Sequence, residues 1–139
     1  MQLTQAAPIS AVRLWTGRII SALMVLFLIF DGVTKLIKVP QVLDAQARLG
    51  YPANDALGIG ITVLACTLVY VNPRTSILGA ILLTGYLGGA VATHLRVRDP
   101  LFDTIFPILI GALVWAGLYL MDSRLRALVP FKSTSNKFD

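Results

Sequence analysis

Residues 19–30 read IISALMVLFLIF, an uncharged apolar run that decides how the rest of the chain is read. Arg13 and Arg18 precede it; Asp31, Lys35 and Ile37 follow before Pro40. Proline lacks the N–H that a continuing helix needs, so Pro40 ends the segment. A helix of about 20 mostly apolar residues spans the hydrocarbon core of a bilayer, and residues 14–37 supply one. A secretory leader has similar flanks. This run, however, passes through Phe30, Asp31 and Gly32 with no small-residue cleavage motif and continues to Ile37.

The same pattern recurs along the chain. Residues 56–71 form a second apolar segment, closed by Asn72, Pro73 and Arg74, and residues 77–94 form a third. The fourth, at about 106–121, opens near Pro107, which reads as a first-turn proline. Only 14% of the 139 residues are charged and 56% are hydrophobic, whereas soluble domains carry about 25% charged residues. Four spans of this kind occupy ~80 residues and leave no room for a soluble module. The expected fold class is therefore all-α: an integral membrane bundle of four transmembrane helices over residues 13–130, between flexible tails at 1–12 and 131–139. Between spans one and two, Val42, Leu43, Gln46 and Leu49 recur at helical spacing, which predicts a short interfacial helix. Gly50 and Pro52 stop it. Beyond Asp122 the chain is expected to fray.

An even number of spans puts both termini on one side. That side would carry Arg13, Arg18, Arg74, Arg124, Arg126, Lys132 and Lys137; the other would carry Lys35, Lys38, Arg48, Arg96 and Arg98. Basic residues favour the cytoplasmic face, so the expectation is a multi-pass cell-membrane protein with cytoplasmic termini. Trp15, Trp115 and Tyr119 fall where an inner aromatic belt belongs. The net charge of +5 then serves topology and contact with anionic membrane lipids. Nucleic acid is not an expected partner, because no basic stripe is interleaved with aromatic residues.

Cys66 is the sole cysteine and His94 the sole histidine. These counts exclude an intrachain disulfide, a Cys/His metal cage and a haem held by two histidines of one chain. No metal ligand set is expected.

Three features stand out as candidates for chemistry. Asp31 and Lys35 lie four apart on one helical face, ~20 Å and ~26 Å along the helix from Arg18 at 1.5 Å per residue. Lys35 can snorkel to the headgroups. A short carboxylate cannot, and it is costly inside a membrane, so Asp31 reads equally as half of a structural pair and as a functional site. His94 ends span three at the same pole; Arg98, Asp99 and Asp103 read as ordinary loop charges, while Tyr51 and Asp55 approach from the loop before span two. Lastly, Ala80, Thr84, Gly88 and Ala92 are spaced by four beside a Gly85–Gly89 pair. Small residues let helices approach closely in lipid. The expectation is that this row packs inside the bundle and makes span three the most enclosed helix; a homo-oligomer through span three is the other use.

The segment Pro73-Arg74-Thr75, followed by Leu78 to Arg96 with its Gly85-Tyr86-Leu87-Gly88-Gly89 centre, resembles the DoxX-like family of small four-span membrane proteins. Asp31-Gly32, Lys35-Leu36, Leu49-Gly50-Tyr51-Pro52, Phe106-Pro107 and Gly117-Leu118-Tyr119 support the resemblance, which covers residues 13–130. It implies the fold and a distant connection to a quinone-linked oxidase subunit, but it carries over no catalytic residue.

Two functions follow as expectations. One is an accessory or ligand-binding membrane protein that holds a lipophilic small molecule at a polar outer pole, with Lys35, Tyr51, Tyr86 and Arg96 as ligand-binding residues beside Asp31. The other is a membrane enzyme in which Asp31 and His94 act as acid and base, or in quinone-linked redox chemistry, on an apolar substrate. Quinone is the one cofactor considered. Transport ranks third, because four short helices are few for alternating access.

Overall fold

The structure, a computed structural model, describes residues 9–129 and contains six helices over that range. They are α1 (Ala11–Leu36), α2 (Pro40–Arg48), α3 (Asp55–Val71), α4 (Ser76–Val97), α5 (Leu101–Met121) and α6 (Ser123–Leu128). The tails expected at 1–12 and 131–139 lie almost wholly outside the described residues. Where the first tail is described, it is shorter than expected. Ser10 accepts the Arg13 N–H at 3.3 Å and starts α1 at Ala11, as a serine N-cap does.

α1 packs on α3 and α5, and α4 packs on the same two helices, so the four longer helices close a ring. Each contributes one large, fully buried side chain to the centre: Leu28, Val63, Leu83 and Val114. Next to this centre, Tyr70 lies buried between Ser21, 3.0 Å from its hydroxyl, and the Val114 carbonyl at 3.1 Å. This joins α3 to α1 and α5 with the hydroxyl satisfied, as burial requires.

The outward faces are apolar too. On α1, Ile19, Leu23, Leu26 and Phe30 are exposed at helical spacing, and on α5 so are Phe102, Ile105, Leu109 and Leu113. Such continuous apolar surface is not tolerated in water. α1, α4 and α5 are long and apolar enough to cross a membrane, and α3 is a shorter apolar helix of 17 residues.

Three helix ends turn through a left-handed residue. At Gly50 (φ 85°) the Tyr51 N–H reaches the Gln46 carbonyl and the Gly50 N–H reaches Ala47, the paired closure typical of a glycine after a helix. Lys38 (φ 54°) and Arg98 (φ 57°) make the same turn without being glycine. All three lie at the pole where α1 and α4 end.

Four expectations need correction. α5 begins at Leu101, not near residue 106, and Pro107 is buried inside it. Pro100 precedes the first turn in an extended conformation, and the missing Pro107 N–H deprives only the Asp103 carbonyl of its helical bond. The chain after Asp122 does not simply fray. Asp122 caps α6 by accepting the Arg124 N–H at 2.8 Å, and Leu125 is buried. The small-residue row of α4 does not pack inside the ring. Ala80 is buried, but Thr84, Gly85, Gly88, Gly89 and Ala92 are exposed, and a Cβ added at any of the three glycines meets no atom within 4 Å. α4 turns Ala80, Leu83 and Leu87 inward instead. Nor is α4 the most enclosed helix: six of its 22 residues are buried, against six of the 17 residues of α3. Close helix approach occurs elsewhere: a Cβ on Gly79 would overlap the Tyr70 backbone, and one on Gly60 would lie 2.9 Å from the Gly32 carbonyl oxygen.

Candidate functional site

One turn separates Asp31 from Lys35 on the inward side of α1, and their side chains form an ion pair, 30% and 11% exposed respectively. The other carboxylate oxygen, Oδ2, accepts the Tyr86 hydroxyl of α4 at 3.2 Å. The Thr34 hydroxyl donates to the Asp31 carbonyl at 3.0 Å. Asp31 is thus held from two helices at once. A carboxylate satisfied in this way escapes the penalty of an unpaired buried charge.

Beside this pair lies a cavity of about 940 Å³. Phe27, Leu28, Ile59, Leu87, Phe106 and Ile110 supply apolar walls. Phe27 and Phe106 meet edge to face, with centroids 5.5 Å apart, on the α1–α5 side. Asp31, Lys35, Gln46, Tyr51, Tyr86 and His94 bring polar groups to the same space. Gln41, Asn54, Asp55, Thr62 and Thr93 line it as well; an apolar wall with polar groups set into it is the makeup of a small-molecule site.

Two further pairs stand among the remaining polar groups. The Tyr51 hydroxyl lies 2.9 Å from Thr93 Oγ1, joining the loop before α3 to α4. His94 Nδ1 lies 2.6 Å from Asp99 Oδ2. The left-handed turn at Arg98 makes this possible: the Asp99 N–H bonds back to the His94 carbonyl at 3.0 Å, which returns the carboxylate towards the ring. Asp31 and His94 line one cavity, but no hydrogen bond joins them; each has its own partners. Arg96 does not line the cavity. Its guanidinium donates to the Leu49 carbonyl at 2.7 Å and fastens the end of α2 to α4. Among the described residues, no three His, Cys, Asp or Glu side chains converge as metal ligands.

Two site residues escaped the sequence reading. Asp99 looked like a loop charge, because a separation of five is not a helical pairing distance; only the positive φ at Arg98 pairs it with His94. Gln46 is one of the residues whose helical spacing marks α2. It is 5% exposed, lines the cavity, and its Oε1 is buried without a hydrogen-bond partner. Leaving a buried acceptor unpaired costs about 1–3 kcal/mol. A polar residue on an otherwise apolar inward face was the available signal.

The cavity is open between α3 and α4. Gly58 and Thr62 of α3 and Gly85 and Gly89 of α4 line it yet are exposed, and nothing lies within 4 Å of a Cβ built on any of these glycines. At the other end of the same two helices Gly79 sits against Tyr70. The helices therefore touch at one pole and part at the other.

The sequence model of the DoxX-like family matches residues 19–117. No curated protein and no solved structure matches the chain.

Proposed function

The chain belongs to the DoxX-like family of membrane proteins, and on that premise we propose that it crosses the membrane four times and binds a lipophilic small molecule in the cavity beside Asp31. The 17 residues of α3 rise ~26 Å, at the lower limit for a span. The basic residues favour cytoplasmic termini, which puts the cavity in the outer half of the membrane.

The observation that carries the ligand reading is the cavity itself. It is large, its walls are apolar, its polar groups gather around Asp31, Lys35 and Tyr86, and it opens between two apolar helices. A molecule dissolved in the bilayer could enter sideways through that opening without crossing water.

The test is extraction. The protein is isolated with its native lipids, and the organic extract is compared with bulk membrane by mass spectrometry. A lipophilic species enriched to near one per chain is expected. An extract identical to bulk membrane, repeated for Asp31→Asn, would sink the reading.

A second reading, a membrane enzyme acting on an apolar substrate such as a quinone or isoprenoid, draws on the His94–Asp99 pair. A carboxylate held to Nδ1 orients an imidazole for proton transfer through its other nitrogen. In that case Asp99→Asn abolishes turnover of the extracted species and leaves its binding intact. If it is bound as well but never converted, the protein is a binder.

A further inference from the structure

We propose that the hollow between α1 and α6 binds the head group of an anionic phospholipid, with the phosphate held between Arg18 and Arg124. The site lies at the opposite pole from the cavity beside Asp31 and does not rest on the reading of that cavity.

The inference starts from how charge divides between the poles. Among the described residues, Arg13, Arg18, Arg74, Arg124 and Arg126 stand at the pole where α1 begins, against the single acid Asp122. The other pole is balanced, with five basic and five acidic residues. The basic pole attracts anions, and at a membrane surface the anions at hand are lipid head groups.

The hollow turns that diffuse attraction into a site. It measures about 540 Å³, and Arg18 of α1 and Ser123 and Arg124 of α6 line it. Gly17 sets its level. A Cβ there would lie 2.7 Å from Met121 Cγ and 2.9 Å from the Gly117 carbonyl oxygen, so Arg18 stands beside the last turn of α5. The polar residues Asp122, Ser123 and Arg124 follow that turn. Leu14, Ala22, Val25, Val71 and Leu118 also line the hollow and give an acyl chain an apolar wall to lie on. Arg13, Arg74 and Arg126 do not line it.

The two arginines are prepared differently. Arg124 is fixed: Nε and Nη2 donate to the Asp122 carboxylate at 3.2 and 2.9 Å, and Nη2 also donates to the Pro73 carbonyl at 3.1 Å. Both N–H groups of Nη1 remain unengaged. Asp122 offsets the charge of Arg124, so Arg124 supplies oriented donors and Arg18 the net positive charge. Arg18 lies over the Trp15 ring, 5.3 Å from its centroid, and makes no hydrogen bond or ion pair among the described residues. An arginine on an apolar helix finds its partner in an anion or in water at the interface. Its planar fork of donors matches the oxygens of a phosphate.

Native mass spectrometry of the purified full chain tests this, with dioleoyl phosphatidylglycerol and dioleoyl phosphatidylcholine titrated at equal mole fractions in detergent micelles. One phosphatidylglycerol is expected to bind about tenfold more tightly than phosphatidylcholine, the usual worth of hydrogen bonds to a charged group. Arg18→Gln and Arg124→Gln should each remove most of that preference, while Arg13→Gln and Arg74→Gln, which change the same pole outside the hollow, should keep it. Equal partial losses in all four variants would mean that the charge of the pole acts without a site, and would overturn the proposal. So would equal affinity for the two lipids. Displacement of the bound lipid by millimolar glycerol 3-phosphate would assign the hollow to a soluble phosphate and overturn the choice of a lipid. Should Arg124→Gln unfold α6, Arg18→Gln still decides, because it breaks no hydrogen bond within the protein.

Discussion

The Tyr86 hydroxyl donates to Asp31 Oδ2 at 3.2 Å and so joins α4 to α1, two helices that do not pack directly on each other. Both residues line the cavity, and the contact gives the second Asp31 carboxylate oxygen its partner. Its energetics divide unequally. Asp31→Asn leaves Lys35, 11% exposed, without its counter-charge and should cost about 3 kcal/mol, as breaking a buried pair does. Tyr86→Phe removes a single hydrogen bond and should cost about 1 kcal/mol. Equilibrium unfolding in mixed micelles checks both; equal losses for the two variants would contradict this division.

Glycines of α4 should fall into two groups under substitution. Gly79→Ala drives a methyl into the Tyr70 backbone and should cost about 3 kcal/mol, as overpacking does. Gly88→Ala meets nothing within 4 Å and should be neutral or slightly stabilising, because alanine is the better helix former. Thermal unfolding of the two variants side by side is the measurement.

If ligand enters between α3 and α4, a large side chain there should slow it. Gly85→Phe and Gly89→Phe place a ring in open space, so Tm should hold while uptake of the extracted lipid slows. Unchanged uptake kinetics would point to another route.

The orientation can be read by cysteine labelling. Asn54→Cys and Ala127→Cys each introduce a thiol at an exposed position, while the native Cys66 is buried. With cytoplasmic termini, an impermeant maleimide labels Asn54→Cys in intact cells and spares Ala127→Cys. The reverse pattern would invert the topology.

The cap of α6 gives a pH dependence. Hydrogen bonding to the Arg124 side chain holds the Asp122 carboxyl below its ordinary 3.8, against the opposing effect of its burial. A depressed folded-state value stabilises the folded form above the unfolded value, and that stability is lost as pH falls through the folded one. The Tm difference between the unmodified chain and Asp122→Ala should therefore be constant above about pH 5 and close as pH drops below 3.8.

Much of this protein is legible from its residues alone. The uncharged run from Ile19 to Phe30, Pro40 after α1, and Gly50 after α2 mark helices and their ends by local rules: desolvation of a backbone that must satisfy itself, a missing N–H, and a left-handed turn. The inward face of α2 could be read from its spacing, and Asp31 was conspicuous because a carboxylate in an apolar helix needs a partner. Which way α4 faces could not be read. In water, polar and apolar faces differ and periodicity reveals rotation. In lipid the surface is as apolar as the core, so Leu83 and Gly88 carry the same hydropathic message whether they point inward or outward. Only packing separated them, burying Leu83 and leaving Gly88 exposed. The pairs that build the site depend likewise on the tertiary structure. Tyr86 meets Asp31 because the ring of helices sets α4 across from α1, and Asp99 meets His94 because Arg98 adopts a backbone conformation that its own side chain does not favour.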